Sequence, residues 1–95
     1  MNPAEREQLR LSLLRYLERD GSAVFGLPTQ RLVILVKSEG YQVTHLEVEK
    51  ELDYLADPSK GFIATIPKVL SSGSSWKLTA KGRDHLESLQ SATEA

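Results

Sequence analysis

Apolar residues recur along the chain with two different periods, which predict three helices followed by a β-hairpin and a short closing helix. The first helix is predicted by apolar residues at helical spacing, namely Leu9, Leu13, Tyr16 and Leu17. Pro3 fits the first turn of this helix, where a missing N–H costs nothing, and Gly21 ends it. We therefore expect residues 1–20 to form an amphipathic helix with this stripe facing the core.

A second helix is predicted between a Pro-Thr start at residue 28 and a Ser-Glu-Gly stop that ends at residue 40. Its central residues, 32–36, are apolar on every side, so we expect it to be the most buried helix. A strand is the competing interpretation, because valine and isoleucine favour β-structure. The length between the start and stop signals favours the helix. A short strand at residues 23–25 is compatible with the connection before it.

The third helix is predicted to begin at Thr44, after a turn at residues 40–43. Thr44 and Glu47 have the spacing of a capping box, in which each side chain accepts a hydrogen bond from the other residue's backbone N–H. The core-facing positions of this helix follow at helical spacing, namely Val48, Leu52 and Leu55. We expect the opposite face to be exposed and to carry Leu46, Lys50, Asp53 and Tyr54.

Two short segments near the C-terminus alternate between apolar and polar residues, which predicts the strands of a β-hairpin. The first strand is expected to turn Phe62, Ala64 and Ile66 to one face. The second strand turns Trp76 and Leu78 inward, and we expect Trp76 to pack in the core. The Ser/Gly-rich tract between the strands predicts a turn.

Thr79 is positioned to cap a closing helix, in which Leu86 and Leu89 form the inward pair. The whole layout predicts the fold class α+β, as one winged helix-turn-helix domain with three helices, a β-hairpin wing and a short C-terminal helix. Its expected parts are a first helix at 1–20, a helix-turn-helix at 28–56, a wing at 61–78, a closing helix at 79–90 and a frayed tail at 91–95.

Length and composition fit one small globular domain. The 95 residues are 40% apolar and include no cysteine, so neither a disulfide framework nor a thiolate metal site is expected. The longest apolar run is too short to span a bilayer, and the N-terminus lacks the pattern of a signal peptide. We therefore expect a cytoplasmic protein without a cofactor, a bound metal or a membrane contact.

Charge is distributed unevenly along a chain whose net charge is only −1. Residues 44–58, which contain the third helix, carry five acids against Lys50, whereas residues 59–83 carry five basic residues and no acid. The basic wing is suited to phosphate. The acidic third helix counts against ordinary major-groove docking, because its carboxylates repel the phosphates of a duplex.

The turn at 40–44, the third helix and the segments 61–63 and 76–82 resemble the winged-helix domains of bacterial regulators such as the MarR and PadR families. Those families show a similar wing ending, in which a strand leads to Leu-Thr, two residues and Gly, as in Leu78-Thr79-Ala80-Lys81-Gly82 here. In order and size the chain is most similar to the small winged-helix proteins of Mu-like prophages. The resemblance covers residues 28–89 and implies the fold, with no catalytic residue. The superfamily contains DNA-binding regulators as well as protein-interaction modules.

DNA binding, as a phage or prophage transcription regulator, is the first functional hypothesis. Cations around the wing would neutralise phosphates, and binding would then weaken with salt. The candidate DNA contacts on the third helix, its turn and the wing are Gln42, His45, Lys50, Tyr54, Lys60, Lys68, Lys77, Lys81 and Arg83. The alternative for the lysines is that they keep an exposed hairpin edge soluble.

The second hypothesis is a protein-interaction or assembly module that has lost DNA binding. The acidic third helix, with Leu46 and Tyr54, would then dock on a basic partner surface. Leu11 and Leu14 lie off the main stripe of the first helix and are the candidate interface of a homodimer. The alternative is that both are simply exposed leucines of a small domain.

An enzyme is not expected. His45 and His85 are the only histidines, and neither has a second residue at metal-ligand spacing. The chain also lacks a P-loop and the frame of a nucleophile elbow. We expect both histidines on the surface of their helices.

Overall fold

The computed structural model describes residues 2–21, 26–66 and 75–94, with side chains described as far as residue 89. These residues form an α+β fold of four helices and a three-stranded antiparallel sheet, which confirms the predicted class. The strand considered at 23–25 and most of the Ser/Gly turn lie outside the described residues. In chain order the elements are α1 (Pro3–Asp20), β1 (Leu27–Pro28), α2 (Thr29–Ser38), α3 (His45–Ala56), β2 (Ile63–Ile66), β3 (Ser75–Leu78) and α4 (Ala80–Glu94).

Helix α1 forms where the sequence predicts it and buries the expected stripe. Leu9, Leu13 and Leu17 are all buried. The side chain of Asn2 caps the helix by accepting a hydrogen bond from the backbone N–H of Glu5 at 2.8 Å. Local signals therefore suffice to start this helix and to orient it on the core.

Leu14 also belongs to the core, which corrects the expectation of an exposed leucine or a dimer seam. Its side chain is only 2% exposed, because α4 packs against α1 and closes over this face. Leu11 is half-buried against the same core cluster. The prediction that Leu14 forms a homodimer interface is therefore wrong, because its side chain is already covered within one chain.

Helix α2 is a helix rather than the competing strand, as its start and stop signals predict. Leu32, Val33 and Val36 are buried, but Ile34 is 52% exposed. The central run is therefore apolar on every side, as the sequence shows, but it is not buried on every side. Its packing partners α1, α3 and β1 cover the face opposite Ile34 and leave an outer face in solvent.

Strand β3 is the centre of the sheet, with β1 on one side and β2 on the other. Trp76 on β3 lies opposite Leu27 of β1 and Thr65 of β2. It is buried, as predicted, and its indole N–H donates to Thr29 Oγ1 at 2.8 Å. This hydrogen bond ties the sheet to the start of α2.

Strand β2 has the opposite phase from the one predicted. Ile63 is the buried residue, whereas Phe62, Ala64 and Ile66 are only half-buried. Phe62 precedes the strand and stacks on His85 of α4, with ring centroids 4.3 Å apart and ring planes within 10°. In the β2–β3 register, Ile63 and Thr65 lie opposite Leu78 and Trp76 and therefore share the face of the buried Trp76. Ala64 and Ile66 lie on the other face. His85 is half-buried in this stack, which corrects its expected place on the exposed side.

A close junction joins the hairpin to α4. Thr79 Oγ1 donates to the carbonyl of Gly61 at 2.6 Å and accepts from the N–H of Gly82 at 3.0 Å. Thr79 therefore caps α4, as predicted. Its own N–H donates to the carbonyl of Phe62 at 3.0 Å, and Gly82 lies so close to that carbonyl that a side chain has no room. The Leu-Thr-x-x-Gly ending thus combines a capping threonine with a glycine that allows close approach.

Helix α4 continues to Glu94, past the expected end at residue 90 and into the segment expected to fray. That extension contains neither glycine nor proline, the residues that most often stop a helix. Leu86 is fully buried, as predicted, whereas Leu89 is 38% exposed. The expected inward pair is therefore correct only for Leu86. No helix among the described residues is both long and apolar enough to cross a membrane.

Helix α3 begins with the predicted capping box. Thr44 Oγ1 accepts from the N–H of Glu47 at 3.1 Å, and Glu47 Oε1 accepts from the N–H of Thr44 at 3.0 Å. The hydrogen bonds with Thr44, first of all the one from its backbone, hold the pKa of Glu47 below its usual value. The charged carboxylate therefore stabilises the start of α3.

Acid is expected to weaken this end of α3. Because the folded state lowers the pKa of Glu47, the stabilisation is complete above the unfolded value of about 4.5 and is lost as the pH falls through the folded value. Glu47→Gln should lower the melting temperature at neutral pH, and its difference from the wild type should shrink in acid. Thermal melts followed by circular dichroism measure this, and a difference independent of pH would contradict it.

Candidate nucleic-acid interface

The outward face of α3 is a helical surface that the sequence predicted to bind a partner. Val48, Leu52 and Leu55 pack into the core, as predicted, so the opposite face points into solvent. We call four of its exposed residues the outward stripe: His45, Leu46, Lys50 and Asp53. Leu46 is 60% exposed, the highest value for a large apolar side chain among the described residues. Gln42 is exposed in the turn before the helix.

Three of the five acids in and after α3 are engaged in contacts within the chain. Glu47 caps the helix, as described above. Glu51 bridges to α1, where it accepts from Arg10 Nε at 2.5 Å and lies 3.6 Å from Arg6 Nε. Asp57 accepts from the N–H of Ser59 at 2.9 Å, and this hydrogen bond lowers the pKa of Asp57. The acidity of this segment is thus mostly structural and is not concentrated on the outward stripe.

Of the remaining two acids, Asp53 belongs to the outward stripe and Glu49 contacts it through His45. Glu49 Oε1 lies 3.2 Å from Nε2 of His45, one helical turn away. Asp53 is exposed, one helical turn from Lys50. The stripe therefore combines an apolar side chain with charges of both signs.

The two kinds of acid on α3 should respond differently to neutralisation. Glu51→Gln is expected to lower the free energy of unfolding by about 1–2 kcal/mol, because it weakens a part-buried charge-assisted hydrogen bond to Arg10. Asp53→Asn removes the same charge from the same helix at an exposed position, and should change stability by less than about 0.5 kcal/mol. Urea denaturation of both variants measures the contrast, and equal effects would contradict the assignment of Glu51.

Tyr54 and Lys60, both predicted DNA contacts, are engaged on the side of α3 that faces α1. The guanidinium of Arg10 lies 3.8 Å from the centre of the Tyr54 ring, and Lys60 Nζ lies 5.3 Å from it. Tyr54 is still 40% exposed, and both cations lie within about 6 Å of its ring centre. Tyr54 therefore lies on the flank of the outward face that is nearer α1, one helical turn from Lys50.

Those predicted basic residues of the wing and α4 that the structure describes do not all lie on one face. Lys77 is exposed on β3. Lys81 and Arg83 are both exposed on α4. Because they are two residues apart, they lie on opposite flanks of the helix. The side chain of Lys81 lies beside Gly61, which follows the end of α3. Lys68 lies outside the described residues.

Two further cations on α2 escaped the sequence analysis. Arg31 and Lys37 are exposed on the outer face of α2, on either side of the exposed Ile34. Each lies three residues from Ile34, and this spacing indicates that all three side chains share one face of the helix. Arg31 and Lys37 were not among the predicted contacts, because the apolar run led us to expect the most buried helix.

A groove lies between α1, the end of α3 and α4, away from the outward stripe. Its volume is about 350 Å³. The stacked rings of Phe62 and His85 form part of its wall. We refer to this cavity as the groove; it is lined by Glu7, Arg10, Leu11, Leu14, Tyr54, Leu55, Lys60, Phe62, His85 and Leu89.

The histidines and acids are not arranged as a metal centre in the part of the chain that the structure describes. His45 pairs with a single carboxylate, and His85 stacks on an aromatic ring. No three potential ligands from histidine and the acidic residues come together among residues 2–21, 26–66 and 75–94. The exposed and concave surfaces described above are therefore the features from which function can be inferred.

The described elements define a class of small α+β domain, in which two short helices joined by a turn pack beside an antiparallel sheet. No protein-family model matches the chain, and neither the curated proteins nor the solved structures contain a significant match. Function is therefore inferred from the residues that the fold exposes.

Proposed function

We propose that the protein is a winged helix-turn-helix module that binds duplex DNA through the outward stripe of α3. The element order supports this proposal: α1 and β1 precede the α2–α3 pair, and an antiparallel β2–β3 pair follows it. In winged helices the second helix of such a pair enters the major groove. The resemblance of the wing ending to bacterial regulators favours a phage or prophage transcription regulator, acting on DNA in the cytoplasm.

The observation that carries the proposal is the exposure of the outward stripe together with the engagement of Glu47 and Glu51 elsewhere. The stripe offers groups that read base edges, since lysine donates to guanine O6 and N7 and apolar side chains contact the thymine methyl. Lys50 and Leu46 have these properties and lie one helical turn apart. Asp53 can accept from cytosine N4.

Phosphate contacts would come from exposed cations on other elements. Arg31 on α2 and Lys77 on β3 are exposed and make no ion pair within the described ranges. Lys68, in the same hairpin segment as Lys77, adds a further positive charge in the sequence. Each phosphate that these residues neutralise should lower log K by about 0.9 for each tenfold rise in salt.

The proposal is tested by the fluorescence anisotropy of random duplex DNA at about 50 mM and about 200 mM salt, the range over which phosphate contacts weaken. We expect salt-sensitive binding, weakened about tenfold by Lys50→Glu. Lys37→Glu is the matched control, because Lys37 is an exposed lysine in the last turn of α2, outside the outward stripe, and should change affinity much less. Absence of binding at low salt, or equal effects of the two variants, would contradict the proposal.

A protein partner is the second candidate, favoured by one specific observation. Ile34 and Leu46 are the two most exposed large apolar side chains among the described residues, at 52% and 60%, and both lie on outer faces of the α2–α3 pair. An apolar surface of this kind suits a protein interface as well as a thymine methyl. Loss of partner binding in Ile34→Ser, with DNA binding absent in the wild type, would favour this candidate.

A further inference from the structure

The groove has the form of a small-molecule site. Four separate parts of the chain converge on it, namely α1, α3, the α3–β2 connection and α4. Leu14 and Leu55 contribute to its lining and are each only 2% exposed, so the groove reaches the core. Its volume of about 350 Å³ falls at the lower end of the range of small-ligand pockets.

The lining of the groove is mostly apolar and carries charges of both signs. Two cations, Arg10 and Lys60, face one acid, Glu7, among the described residues that line it. Arg10 is already paired with Glu51. Lys60 is half-buried and forms no salt bridge within the described part of the chain; its Nζ lies 5.3 Å from the centre of the Tyr54 ring, and its charge also acts on the carboxylate of Asp57. A cation that no carboxylate holds at salt-bridge distance, beside an apolar groove, suits an anionic ligand.

The apolar part of the lining complements this cation. Leu11, Phe62 and Leu89 line the groove together with the two buried leucines. Leu89 is 38% exposed, so a ligand that covers it would remove apolar surface from water. An occupant of the groove should therefore have an apolar body and a single negative charge.

We propose that the groove binds a small amphipathic carboxylate, with the carboxylate at Lys60 and the apolar body against Leu11, Phe62 and Leu89. The limited volume favours a single small molecule over a protein segment, whose backbone would have to follow the surface beyond the groove. The inference does not depend on DNA binding, because the groove and the outward stripe are different surfaces. A medium-chain alkanoate is the simplest molecule with the required chemistry.

The test is an NMR titration of the full chain with octanoate, using 1-octanol as the neutral probe of the same chain length and hexanoate as the shorter acid. We expect saturable shifts of the amides around the groove with octanoate and weaker binding of octanol. Each methylene removed should weaken binding by up to about fourfold, if it is fully buried in the complex. Equal affinities for octanoate and octanol, or shifts confined to other surfaces, would overturn the proposal.

Variants separate the charge from the apolar contact. Lys60→Gln should weaken octanoate binding about tenfold and leave octanol binding unchanged. Leu89→Ser should weaken both probes, and Lys37→Gln, far from the groove, should weaken neither. Unchanged octanoate binding in Lys60→Gln would overturn the assignment. An acidic leucine-containing peptide that shifts the groove amides, when octanoate shifts none, would overturn it in favour of a protein partner.

Discussion

Replacement of Leu14 by alanine is expected to lower the free energy of unfolding by about 3 kcal/mol, because it opens a cavity where α1, α3 and α4 meet. Leu14 is 2% exposed and lies in the same core cluster as Leu13 and Leu55. Small domains of this size have a total stability of roughly 5–15 kcal/mol, so the loss is a large fraction of the whole. Urea denaturation followed by tryptophan fluorescence measures it.

Leu11→Ala is the matched control for Leu14→Ala. Leu11 lies one helical turn earlier on α1 and is only half-buried, so its truncation should cost about 1 kcal/mol. Sedimentation of both variants separates folding from association. A Leu14→Ala variant that keeps its stability and changes only its mass in solution would restore the dimer seam and contradict the core assignment.

Gly82→Ala is expected to destabilise the protein by about 2–3 kcal/mol, although alanine is the better helix former. Gly82 lies in the first turn of α4, where a Cβ would clash with the backbone carbonyl of Phe62 and lie 2.9 Å from Leu78 Cδ1. Helix propensity alone gives the opposite sign, a gain of about 1 kcal/mol. The sign of the change therefore distinguishes close packing at this junction from local propensity.

Ser88→Ala provides the comparison for Gly82→Ala. Ser88 is exposed on the same helix, so this substitution should follow propensity and change stability by no more than about 0.5 kcal/mol. Denaturation midpoints of the two variants give the contrast. A stabilised Gly82→Ala variant would show that the backbone of Phe62 yields easily and that the junction is not close-packed.

The parts of the fold that the sequence predicts correctly depend on neighbours along the chain. The capping box of Thr44 and Glu47 and the cap at Thr79 each need only residues within one turn. The stripe that includes Leu9 and Leu13 needs only helical periodicity. Such signals survive in almost any tertiary context, which is why the helices and the α+β class could be predicted.

The errors arise where a distant segment decides the outcome. Leu14 is buried because α4, more than 60 residues later in the chain, packs on α1. The face that β2 turns to the core is set by its register with β3, in which Thr65 lies opposite Trp76. Neither contact has a local signal, and a shift of one residue reverses a strand.

The candidate site shows the same division. The outward stripe follows from the spacing of Val48, Leu52 and Leu55, and could be predicted. The role of Glu51 could not be predicted, because its partner Arg10 is 41 residues away in the sequence. The net charge of residues 44–58 therefore predicted a more acidic outward face than α3 has.

The most direct test of DNA binding by the outward stripe is an NMR titration of the labelled protein with a random DNA duplex at low salt. We expect shifts of the amides from His45 to Lys50 and at Lys77, with little change around Leu11 and Leu89 in the groove. Such a result would place the duplex on the surface that α3 exposes. If the amide signals of the outward stripe do not shift, the proposed function is contradicted. This holds whether the duplex shifts the amides around the groove or shifts none.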